Sequence, residues 1–261
     1  MHLHSGSLLW SRDLLVRGGR GLVDIPRLIE SQVALQAFTV VTKTPRDLNF
    51  PRNTADSDNI LLLSLAVRWP PATWSSFAKR ALYACAASNP ARRVSSRSSG
   101  PRRTCTPTST AGADPAITVG FLGIEGAHAL DGNLANIDRL CGGFRRIAPT
   151  HLFNNDIGSS SAGVDKTRLT NKGREMVRRM EAGHMRADPA HDARRIIDDV
   201  LAALAPRPLL ISHTGRVIGI ANIDEAVCGK DGTAIARAIG HAADTVGVDA
   251  GHSARISTAR S

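Results

Sequence analysis

From residue 117 onward the chain repeats one unit, an apolar segment that reads as a strand followed by an amphipathic segment that reads as a helix. ITVGFLGIEG (117–126) is a strand ending on Glu125, LDGNLANIDRLCGG (130–143) a helix stopped by glycines, and FRRIAPTH (144–151) a strand ending on His151. NKGREMVRRMEAG (171–183) is a helix closed by Gly183, and HMRADPAH (184–191) is a weak strand ending on His191. DARRIIDDVLAALAP (192–206) is a helix, and RPLLISH (207–213) is a strand ending on His213. Alternation of this kind folds as crossovers onto a parallel sheet. The C-terminal ends of such strands converge on one face, where a barrel carries its chemistry. One histidine alone reads as a cap or a loop residue. Strands that finish in turn on Glu, His, His and His read as ligands gathered at one mouth.

The first ninety residues are patterned as well. A short helix is expected around Pro26 to Ser31 and a strand from Val33 to Val41, dense in β-branched and apolar side chains. SDNILLLSLAVRWP and ATWSSFAKRALYACAA read as two helices broken by Pro70-Pro71. Between these halves, residues 91–113 lose all periodicity and are rich in Ser, Thr, Arg and Pro.

The formal net charge of +10 invites a nucleic-acid partner, but its distribution argues against one. Seven of those charges are the arginines of 91–113 and 251–261, where neither acid nor interleaved aromatic occurs. No nucleic acid is expected as a partner. Cys85, Cys105, Cys141 and Cys228 are scattered without a Cys-x-x-Cys spacing, which suits a reducing compartment. No apolar run is long enough to span a bilayer, and no stretch has the pattern of a leader peptide, so a cytoplasmic location is expected.

GIEGAHALDGNLANIDRL, THLFNND, LTNKGREMVRRM, Ala190-His191 and ISHTG together resemble the renal (membrane) dipeptidase family of zinc peptidases. The likeness extends to LLWSRDLLVRGGRGLVDIPRLIESQVALQAFTVVTKTP near the N-terminus. The resemblance implies a single metallopeptidase domain over 1–261, a (β/α)8 TIM barrel carrying two zinc ions, with dipeptides as substrates and a homodimer as a possible assembly. Matched motif to motif, Glu125 takes the place of the carboxylate that bridges the zinc ions, and His191 and His213 take the places of the histidines on the second. His151 takes the place of the catalytic histidine that contacts the substrate and the tetrahedral intermediate. His4 matches the first histidine of a His-x-Asp pair on strand one. The implied reaction is hydrolysis of the dipeptide bond by a metal-activated water.

Departures from that pattern make the expected barrel incomplete and its activity impaired, with a catalytically inactive metal-binding remnant as the alternative. The His-x-Asp pair reads His4-Ser5-Gly6, and glycine carries no ligand atom. Strand one is a stub, and Arg186 and Pro189 are expected to interrupt the strand before His191. Only Ser212 to Arg216 separate RPLLISH from the next apolar run, too few residues for the crossover that parallel neighbours need. A helix between strands six and seven is therefore expected to be deleted, and with it the arginine that would hold the substrate carboxylate. Strand eight is expected to be lost, and 91–113 and 250–261 read as disordered or out-of-frame segments. GGRG (18–21) and CGG (141–143) read as loop glycines, and His128 is expected to face solvent. Asp156 and Asp188 could orient histidines but are not counted among the site residues.

Overall fold

The computed structural model describes residues 2–4, 14–19, 23–33, 35–49, 52–66, 69–87, 118–204, 210 and 212. Their centre is a parallel sheet in which chain order is also spatial order. Its strands are β1 (His2–His4), β2 (Leu35–Val41), β3 (Val119–Glu125), β4 (Arg146–Ile147) and β5 (Arg186–Ala187). The two long strands pair along their whole length, from Leu35 opposite Val119 to Val41 opposite Glu125. β2 is buried from Gln36 to Val40, as expected of a parallel strand covered on both faces.

The crossovers carry helices α1 (Ile25–Glu30), α2 (Asn59–Ala66), α3 (Phe77–Ala87), α4 (Asn136–Leu140), α5 (Asn171–Ala182) and α6 (Arg194–Leu204). α5 starts where the Thr170 side chain accepts a hydrogen bond from the Gly173 N–H, and it stops at Gly183. Its buried residues Gly173, Met176, Val177 and Met180 follow the helical period and join the core beside Ile196 and Val200 of α6.

α3 is capped twice. Ser76 Oγ accepts the Lys79 N–H at 3.1 Å, and Asp131, far along the chain, accepts from the Phe77 N–H at 2.7 Å and Ser76 Oγ at 2.6 Å. A carboxylate at a helix N-terminus satisfies orphan donors and complements the dipole. Asp131→Ala should therefore cost about 1–2 kcal/mol, read from urea melts; a melt unchanged from wild type would remove the capping role.

The long elements match expectation and the short ones are trimmed. The helix expected over 130–143 is confined to Asn136–Leu140, because Asp131 and Gly132 both adopt positive φ (51° and 71°). The strands expected to end on His151 and His191 are only two residues long and stop at Ile147 and Ala187. Pro149 and Pro189, each two residues on, cannot donate to a ladder. Arg186 does not interrupt its strand: it lies within β5, and its exposed side chain meets Glu181 at 3.3 Å. The strand ending on His213, the deleted crossover, the lost eighth strand and the segments 91–113 and 250–261 lie outside the described residues.

Candidate metal centre

Glu125 ends β3 with its side chain fully buried. Around it the fold gathers two imidazoles. β4 and β5 are adjacent and in register, Arg146 opposite Arg186 and Ile147 opposite Ala187. His151 and His191 each lie five residues beyond the paired arginine, two beyond a proline, so equal offsets from a shared register bring them side by side. Their rings meet edge-on at 86° with centroids 4.4 Å apart. His151 Nε2 lies 2.8 Å from Glu125 Oε2, and His191 Nε2 lies 3.7 Å from the same oxygen. The shared spacing Arg-x-x-Pro-x-His was present in the sequence, but only strand register gives it meaning.

One ligand atom from each of Glu125, His151 and His191 lies within 4.8 Å of the others. Carboxylate oxygen and neutral imidazole nitrogen are the donors that borderline divalent cations take, and three protein donors match the count of a catalytic site. The set therefore fits a metal ion on geometry and on donor chemistry. His191 keeps 19% of its side-chain surface exposed, against 4% for His151, so the site opens on its side.

His4 is the last residue of β1, in register with Thr39 of β2, and so lies on the same sheet row as Gly123 and Arg146. His213 lies outside the described residues. Its neighbour Ser212 donates its N–H to Asp188 Oδ1 at 3.1 Å, which brings the chain back to the sheet beside β5.

One charged residue at the site was missed in the sequence. Arg146, inside β4, has a fully buried side chain; it ion-pairs with Asp188, donates to Ser212 Oγ and reaches Thr39 Oγ1 at 3.1 Å. Its Nη2 lies 3.8 Å from Glu125 Oε1. Asp188 thus holds an arginine rather than a histidine, and Asp156 pairs with Lys172. The signal was a pair of arginines, Arg145 and Arg146, inside the otherwise apolar string FRRIA.

His128, expected to face solvent, is buried. Its Nε2 lies 3.0 Å from Thr42 Oγ1, and its ring packs on Phe153 at 4.9 Å and edge-on to Phe77 at 5.6 Å. Burial first, then electrostatic repulsion from His151, Lys43 and Arg80, holds this imidazole well below its ordinary pKa and neutral. Gly126 makes the tuck possible. It adopts a φ of 89°, and a Cβ there would lie 2.4 Å from the His128 ring.

Asp192, next to His191, accepts from the Thr150 N–H at 3.0 Å and Thr150 Oγ1 at 2.6 Å. Burial nevertheless pushes its carboxyl up to about 7. In the unfolded chain the same group ionises near 4, so the folded state binds the extra proton between those values. Folding stability conferred by this group is full below about pH 4, falls as pH rises, and is lost above about pH 7. In chelator, melts of wild type and Asp192→Asn should diverge across that window, with wild type losing relative stability. Parallel profiles would contradict the raised pKa.

A family model described as membrane dipeptidase, peptidase family M19, matches residues 12–223. A metallopeptidase from Rhodobacter sphaeroides, solved with a phosphinate mimic of the dipeptide L-Ala-D-Ala, superimposes with a TM-score of 0.61 at 20% identity, covering 95% of this chain and 82% of its own. A family M19 dipeptidase gives 0.60 at 19% over the same shares. An amidohydrolase from Pseudomonas aeruginosa gives 0.59 at 16%, over 95% of this chain and 70% of its own. These likenesses show the fold, a parallel α/β architecture of the barrel-like dipeptidase type. No helix among the described residues is long and apolar enough to cross a membrane. With a model match over most of its length and a carboxylate–imidazole cluster at the strand ends, the chain belongs to the membrane dipeptidase family of metallopeptidases, family M19.

Proposed function

We propose that this chain is a zinc-dependent dipeptidase that hydrolyses the peptide bond of dipeptides, with turnover impaired relative to a complete site. The convergence of Glu125, His151 and His191 within 4.8 Å carries the reading. Glu125 and His191 would hold one zinc, together with His213, while His4 is the ligand that the resemblance implies for the other. Bound there, zinc supplies a water acidic enough to ionise near neutral pH and a Lewis acid for the carbonyl.

The chain's own residues do the rest. Glu125 presents a buried negative charge that favours a cation over solvent. His151 keeps its Nε2 within hydrogen-bond distance of that carboxylate and presents the same nitrogen to the oxygen of the attacked carbonyl when substrate enters. Entry comes from the His191 side, the more exposed edge. Impairment follows from Gly6, which stands where the resemblance expects an aspartate ligand. That same residue favours the second reading, a metal-binding remnant without turnover.

L-Ala-D-Ala, whose mimic occupies the Rhodobacter neighbour, is the first substrate to assay. Hydrolysis that stops in chelator and returns with zinc is expected. Zinc uptake without hydrolysis of any dipeptide would leave the remnant reading, and hydrolysis indifferent to chelator would overturn both.

A further inference from the structure

We infer that Arg146 occupies the place of a second cation at Glu125, so that this site binds one divalent ion, on the Oε2 side of the carboxylate. The inference rests on the metal reading above and concerns how many ions that site takes.

The two oxygens of Glu125 face different chemistry. Oε2 faces the imidazoles of His151 and His191, at 2.8 and 3.7 Å. Oε1 faces the guanidinium of Arg146, at 3.8 Å. A carboxylate shared between two metal ions must offer one oxygen to each; here one of the two is already turned toward a fixed positive charge. A guanidinium keeps its charge at neutral pH in proteins.

The fold holds that charge in place. Asp188 pairs with Nη1, Thr39 Oγ1 accepts from Nη2 at 3.1 Å, and Ser212 Oγ accepts as well. The guanidinium lies over β3 at Gly123, where a Cβ would stand 2.5 Å from Arg146 Nε. The strand pairing puts His4, Thr39, Gly123 and Arg146 in one row across four strands. Arg146 thus spans from its own strand to Thr39 on β2, the row through which ligands from β1 would have to reach a second ion.

The test is metal stoichiometry rather than turnover. The full chain is stripped with chelator, dialysed against excess zinc and then against buffer, and its zinc counted by plasma mass spectrometry. Wild type should hold one zinc per chain, Arg146→Lys should also hold one, and Arg146→Met should hold two, since the fixed positive charge beside Glu125 Oε1 and Asp188 is then gone. Circular dichroism establishes that each variant is folded. Two zinc ions in wild type would overturn the inference and leave the metal reading intact, even if Arg146→Met fails to fold. A folded Arg146→Met that stays at one ion would overturn it too. No zinc in wild type would sink the metal reading itself.

Discussion

Glu125→Ala should abolish zinc retention and lower dipeptide hydrolysis by about a thousandfold or more. This carboxylate is where the site's charged and ligating groups meet: both imidazoles face Oε2, and Arg146 faces Oε1. Without it, the two histidines at the rim offer a divalent cation no compensating negative charge. Removal should not unfold the chain, because a buried carboxylate carries a desolvation penalty that alanine does not. Arg146 keeps Asp188 as its counter-charge in the variant. Glu125→Gln, nearly the same shape without the charge, should fail in the same way and separates electrostatics from packing. Zinc content, hydrolysis and melts in chelator read the three effects apart. A Glu125→Ala protein with wild-type zinc and wild-type rate would end the assignment of this cluster as the metal centre.

How much of this was legible in the sequence depends on the range of the interaction. β2 and β3 could be read because their signal is local, a mostly apolar run of seven residues in each. α5 could be read because its cap, period and terminal glycine are all within its own stretch. Glu125, His151 and His191 were found from their common place at strand ends, although the strands stop four residues before each histidine and the loops carry them the remaining distance. What failed was information held between strands. Arg146 reads as a polar interruption until Asp188 and Thr39 are seen beside it, 42 and 107 residues away. His128 reads as a loop histidine until Phe77 and Phe153 close on its ring. The second failure has a local trace, because Gly126 at positive φ is the residue that a tucked turn demands.

The same pairing that escaped the sequence should dominate stability. Asp188→Ala leaves the Arg146 guanidinium with no exposed surface and without its closest counter-ion. Removing one partner of a fully buried ion pair costs about 3–5 kcal/mol, because the remaining charge stays desolvated. At about 2–4 °C per kcal/mol for a domain of this size, the melting temperature should fall by roughly 10 °C. Glu125 does not rescue the arginine, since it lies at 3.8 Å on the other side and already faces the histidines. Asp188→Asn should fall between wild type and alanine: it restores an acceptor but no charge. Changing both partners, Arg146→Met with Asp188→Leu, should recover most of the loss, because apolar residues of similar size avoid the desolvation penalty altogether. With the single variants Arg146→Met and Asp188→Leu completing the cycle, the coupling should exceed about 1 kcal/mol, well above what separate sites show. Melts of the four proteins in chelator measure it, and an Asp188→Ala variant within about 1 kcal/mol of wild type would mean that solvent or Glu125 already carries the charge of Arg146.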